Sequence, residues 1–147
     1  ACIMAESLAD TLASDIGFLS SKPPINIITL KKSIPGLSGN ISFLGLVSSF
    51  IGSLIISLIF IAFHFNISYL VIILLSSFLG AVFDSLLGAT IQVKYKCPKC
   101  KIITEKKEHC QTKTNYYQGL SFINNDVVNF LSNLFAGLIG LIIAINL

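Results

Sequence analysis

Residues 41–63 read ISFLGLVSSFIGSLIISLIFIAF, and residues 67–92 read ISYLVIILLSSFLGAVFDSLLGATIQ. The first run has no charged residue, and the second has one, Asp84, near its far end. As helices rising about 1.5 Å per residue, both are long enough to cross about 30 Å of hydrocarbon. Only His64–Asn66 separate them, which allows an antiparallel hairpin and little else. A third uncharged run, VVNFLSNLFAGLIGLIIAINL, fills residues 127–147. Buried helices of a water-soluble bundle would need polar outer faces, which these segments lack. Their glycines, among them Gly45, Gly52, Gly80, Gly88, Gly137 and Gly140, are costly in soluble helices but let helices approach closely in a bilayer. The expected fold class is all-α, a polytopic transmembrane helical bundle.

Composition agrees. The 147 residues are 54% hydrophobic and 12% charged, with a mean hydropathy of +0.83. Soluble domains carry about twice that charge fraction. With no arginine and mostly phenylalanine among its aromatics, the chain offers little to nucleic acid. It opens at Ala1 in ACIMAESLADTLASDIG, which reads like mid-helix, so upstream transmembrane spans are expected to be missing from it. Residues 2–16 are expected to form the end of a further span or a half-buried helix. Loops then cover 17–40 and 93–121, with spans at 41–64, 67–92 and 122–147, all in one membrane domain.

The loops orient the layout. Lys22, Lys31 and Lys32 fall in the first, and the other seven of the ten lysines, from Lys94 to Lys113, fall in the second. Both loops therefore lie on one side, and the positive-inside tendency makes that side cytoplasmic, at the cell membrane in a prokaryote.

Against this frame the acids gather at one depth. Asp10 and Asp84 sit inside apolar stretches near the loop ends of their helices, and Glu6 shares a face with Asp10. Intramembrane carboxylates cost several kcal/mol unless paired or hydrated, and they mark pathways or sites. Asp15 and Asp126, at segment ends, suit the headgroup boundary. A short echo links Asp10-Thr11-Leu12 with Asp84-Ser85-Leu86. Carboxylates beside lysine-bearing loops can hold Mg²⁺ and phosphates.

Four blocks carry a family resemblance: AESLADTLASDIG (5–17), KKSIPGLSGNISFLG (31–45), FDSLLGATIQ (83–92) and NNDVVNFLS (124–132). In order and spacing they resemble the DUF92 integral membrane family, with its TMEM-nineteen-like proteins and plant phytyl-phosphate kinases. A more distant resemblance is to CTP-dependent polyprenol kinases: Asp10, Ala13 and Gly17 fit one part of their pattern, and Lys31, Lys32, Ser33 and Gly36 fit a second. Pro35 stands where those kinases carry Glu.

The resemblance implies transfer of a phosphoryl group from a nucleoside triphosphate to a prenyl alcohol or prenyl phosphate within the lipid bilayer. On that implication Asp10 and Asp84 hold Mg²⁺ with Glu6 in support, and Lys31 and Lys32 meet the phosphates. Ser33, Gly36, Ser38 and Gly39 offer hydroxyl and backbone donors. Asn125 and Asn129 bind nucleotide or phosphate, or else serve as a helix cap and an interhelical hydrogen bond. Two other functions fit the same residues: a transporter or channel subunit using the intramembrane acids, and an assembly protein whose loop lobe binds a partner.

That lobe has its own chemistry. Cys97-Pro-Lys-Cys100 is followed by His109-Cys110. A thiolate knuckle plus a Cys/His pair supplies four zinc ligands, although adjacent ligands at 109 and 110 are geometrically awkward. Zinc would be structural, folding a lobe too small to hold itself, with free thiols or a redox pair as the alternative. Cys2 is expected to pack in its helix and His64 to sit at the far interface.

Overall fold

Serines fill the interior and large apolar side chains cover the outside. Ser49, Ser53 and Ser57 are buried, as are Ser76, Ser77 and Ser132, whereas Ile51, Ile55, Leu58 and Ile59 are exposed on one helix and Phe130, Leu134, Leu138 and Leu141 on another. Water would invert this distribution; hydrocarbon favours it, because helices in lipid are held by close packing of small residues.

The structure is a computed structural model describing residues 1–64 and 66–146. Four helices carry it: α1 (Cys2–Phe18), α2 (Phe43–His64), α3 (Ile67–Thr90) and α4 (Asn125–Ile145). The last three are long and apolar enough to cross a membrane. In the expected His64–Asn66 turn, Phe65 lies outside the described residues, as does Leu147 at the end of the last expected span. Asn66 caps α3 by accepting from the Ser68 amide at 3.0 Å.

The helices run alternately up and down, and α1 and α3 each touch the other three. Gly17 and Gly45 meet closely, and Gly52 abuts Ala9, so α1 and α2 are antiparallel. Cys2 reaches Gly140, Ile3 lies against Gly137, and the Ser7 hydroxyl donates to Asn133 Oδ1 at 2.9 Å, so α4 also opposes α1. Phe83 stacks on Phe135 at 4.2 Å between α3 and α4, and Phe50 meets Phe78 edge-on at 6.0 Å between α2 and α3. This arrangement places both long connections at the same end of the bundle.

Gly80 marks the tightest interior crossing. A Cβ there would lie 2.6 Å from Glu6 Cγ and 2.8 Å from Ala136 Cβ, on two different helices. Gly80→Val should therefore destabilise the bundle by about 2–3 kcal/mol. The check is a lowered thermal midpoint in detergent relative to Leu79→Val, whose side chain is exposed.

The all-α expectation needs correction in the connections. They contain seven short strands: β1 (Ile25–Asn26), β2 (Asn40–Ile41), β3 (Lys94–Lys96), β4 (Ile103–Thr104), β5 (Glu108–His109), β6 (Thr112–Lys113) and β7 (Asn115–Gln118). β1 pairs with β2, β3 lies between β4 and β7, and β5 pairs with β6, all antiparallel. Backbone groups outside helices need partners, and neighbouring loop segments supply them. Helix ends move for related reasons: the Ser42 hydroxyl accepts from the Gly45 amide at 3.0 Å and Asn124 Oδ1 from the Val127 amide at 3.0 Å, so α2 and α4 begin after 41 and 122.

Candidate functional site

At the loop end of the bundle, α1, α2 and α3 part around a cavity of about 390 Å³. Asp10 and Asp84 both line it, one from α1 and one from α3. These helices run in parallel, so acids at matching depths enter one space. Asp84 Oδ2 accepts from the Ser132 hydroxyl at 3.0 Å and from Asn129 Nδ2 at 3.1 Å. Its Oδ1 and the Asp10 carboxylate take no hydrogen bond from the described residues, so both keep ligand capacity. Glu6 does not line the cavity. It is 1% exposed within the helices, and both its carboxylate oxygens lack a hydrogen bond. The nearby Ser132 hydroxyl has Asp84 Oδ2 and the Asn129 carbonyl as acceptors, each at 3.0 Å.

A lip formed by residues 35–42 closes the loop side and includes Gly36, Ser38 and Gly39. Gly36 and Gly39 have φ of +76° and +85°, a region glycine enters readily. A Cβ at Gly39 would collide with the Ala89 backbone, so the lip lies flush on the last turn of α3. Asn125 also lines the cavity, and its Oδ1 accepts from the Ser38 hydroxyl at 3.4 Å. Asn129 instead steadies Asp84, and Asn124 is the helix cap.

Other expected phosphate ligands stand apart. Lys31 and Lys32 are exposed and, with Ser33, do not line the cavity. The first connection uses their backbones: the Asn26 amide donates to the Lys31 carbonyl at 2.9 Å and the Ser33 amide to the Pro24 carbonyl at 2.8 Å. The cation at the lip is Lys94, 3% exposed, whose Nζ donates to the Ser38 carbonyl at 2.7 Å. Burial pulls this ammonium below its usual range, with Glu105 opposing the effect. Glu105 lines the cavity and its Oε1 accepts from the Ser38 amide at 2.7 Å. That amide is therefore committed, and a carboxylate reaches the lip where Pro35 supplies none. Gln92 completes the set, donating from Nε2 to the Ser38 hydroxyl at 3.2 Å. Sequence reading missed these three residues. A charged pair beside the cysteines was the available sign, but only the fold shows that both reach Ser38.

The second connection gathers the sulfur and imidazole ligands. Ligand atoms of Cys97, Cys100, His109 and Cys110 lie within 4.8 Å of one another. Cys100 Sγ is 3.8 Å from Cys110 Sγ and 3.4 Å from His109 Nδ1. Zn–S bonds of about 2.3 Å in a tetrahedron place two thiolates about 3.8 Å apart, which is the spacing of the Cys100–Cys110 pair. The adjacency of His109 and Cys110 is resolved by the backbone. Cys110 and Gln111 adopt φ of 52° and 56°, turning both side chains toward the knuckle. The Cys100 backbone N–H is the main influence holding the Cys97 thiol down to about 6, which favours the thiolate that metals bind. Among the described residues no other such group converges, and Glu6, Asp10 and Asp84 do not form a compact ligand cage.

The family model for integral membrane protein DUF92 matches residues 1–137. This chain belongs to the DUF92 family of integral membrane proteins. The DUF92 chain is also 29% identical over 135 residues to Protein PGR of Arabidopsis thaliana, covering 84% of the chain and 46% of that relative. It thus spans about half the length of this curated relative. No solved structure matches it.

Proposed function

We propose that this DUF92 protein is a membrane-embedded phosphotransferase acting on a prenyl alcohol or prenyl phosphate, with a nucleoside triphosphate as donor. The observation that carries the reading is one cavity at the bundle's end into which two helices of the bundle each bring a carboxylate. Its volume falls within the range of small-molecule pockets. A prenyl chain can stay in lipid while its polar head reaches this depth.

Two carboxylates without a cage suit Mg²⁺, which commonly takes one or two protein carboxylates and completes its shell with water and substrate phosphates. Asp10 and Asp84 would hold it, and it would neutralise charge on the transferring phosphoryl group. Ser132 and Asn129 fix the Asp84 rotamer and leave Oδ1 available. Gly36 and Gly39 let the lip backbone approach a phosphate, with the Ser38 hydroxyl beside it. Lys31 and Lys32, exposed on the same connection, would draw the anionic donor by their field rather than by contact. In this reading the lysine-bearing connections face the cytoplasm, where the donor resides. The Cys/His cluster would hold a structural zinc, since four protein ligands leave no open position.

The test is transfer from CTP and from ATP to a panel of prenyl alcohols and prenyl phosphates by the full-length protein in lipid vesicles. Transfer above background that requires Mg²⁺ is expected; background-level transfer with every pair would remove the proposal. One observation favours an ion pathway instead, namely Glu6, buried beyond the cavity with both oxygens unpartnered. Ion flux through the same vesicles distinguishes that reading.

A further inference from the structure

Every polar group of Ser38 is engaged, and three of its partners come from one short stretch of the second connection. Glu105 takes its amide, Lys94 its carbonyl and Gln92 its hydroxyl. Gln92 and Lys94 are almost wholly buried, at 1% and 3% exposure, and all three contacts are partly buried. The stretch is held in shape by the Cys97–Cys100 knuckle. The Lys101 amide donates to the Cys97 carbonyl and the Cys97 amide to the Ile102 carbonyl, both at 3.0 Å, so the chain reverses between β3 and β4. Lys94 lies on the strand entering that reversal, and Glu105 follows the strand leaving it. The separation of the two groups that grip Ser38 is thus set by the fold of the knuckle.

We propose that residues 92–105 are a positioning arm, and that metal held by Cys97, Cys100, His109 and Cys110 sets the cavity's lip through Glu105, Lys94 and Gln92. Metal loading then governs the cavity from outside it, without taking part in its chemistry. Removing the metal loosens the knuckle, Glu105 and Lys94 lose their spacing, and Ser38–Gly39 lifts from the end of α3. The inference does not depend on what reaction the cavity performs.

Hydrogen–deuterium exchange on the full-length protein in lipid nanodiscs tests it, with zinc present, with zinc removed by a chelator, and in Glu105→Ala. Metal content is measured in each sample. A charge-assisted hydrogen bond protects the Ser38 amide, so its exchange should quicken about tenfold or more in Glu105→Ala, which keeps its zinc. Chelation should produce the same change over residues 35–42 while α2 and α3 stay protected. Glu105→Gln, which can still accept from the amide, should recover most of the protection. The proposal is overturned if the zinc-replete protein carries no metal at this cluster. It is equally overturned if residues 35–42 keep wild-type protection after chelation or in Glu105→Ala. Failure of the phosphoryl-transfer assay would leave these outcomes unaffected.

Discussion

Asp84→Asn is expected to lower phosphoryl transfer by about a thousandfold while leaving the protein folded. Asparagine has the shape of aspartate, and its oxygen can still accept from Ser132 or Asn129, the two groups that now converge on Oδ2. What it loses is the negative charge and the free oxygen that a divalent cation requires. Asp10→Asn should do the same from the facing helix, and the double variant should be little worse than either, because an ion missing one ligand is already lost. Initial rates of labelled phosphate transfer in vesicles, paired with thermal midpoints, separate chemistry from folding. Near wild-type rates in Asp84→Asn would contradict the assignment and favour an assembly role, for which these carboxylates are dispensable. Excess Mg²⁺ should partly restore a variant that merely binds the ion more weakly.

Replacing Cys97 and Cys100 together by serine is expected to eliminate bound zinc and unfold the second connection. Structural zinc sites bind with about 10–16 kcal/mol at neutral pH, far more than strands of two to four residues can contribute. Elemental mass spectrometry should find one zinc per wild-type chain and none in the double variant. Equal metal content in both would reject the site. Acidification should act in the same direction, since proton competition for thiolates and imidazole releases the metal as pH falls. The membrane helices should keep their helical circular dichroism throughout, because their hydrogen bonds are internal to each segment.

The helices could be read from sequence because hydrocarbon imposes a simple rule, uninterrupted apolarity over a known length. Residues 43–64 and 67–90 obey it almost without exception. The packing of α1 inside the bundle was harder to see, because Glu6, Asp10 and Asp15 interrupt its apolar run and suggest a helix at the margin. Burial of Ala5, Glu6 and Ala9 comes from neighbours that no local pattern announces. The short strands left no mark either, since two residues have no period. Asp10 and Asp84 stood out because a charge in an apolar stretch is costly wherever it points. Lys31 and Lys32 could not be placed for the opposite reason: exposed lysines cost little, so their presence says nothing about where they face. Lys94 and Glu105 were invisible as partners of Ser38 because they lie 56 and 67 positions further along the chain.

The packing of α1 among the other helices bears on how the protein is made. The ribosome releases this helix ahead of the three that shelter it, and with Glu6 and Asp10 uncovered it is a poor occupant of lipid by itself. Among the described helices α3 and α4 supply the cover for Glu6, so a chain truncated after α2 should lose the packing that shelters it. Biogenesis and the cavity thus share a single dependence, the later arrival of helices that close around an earlier one.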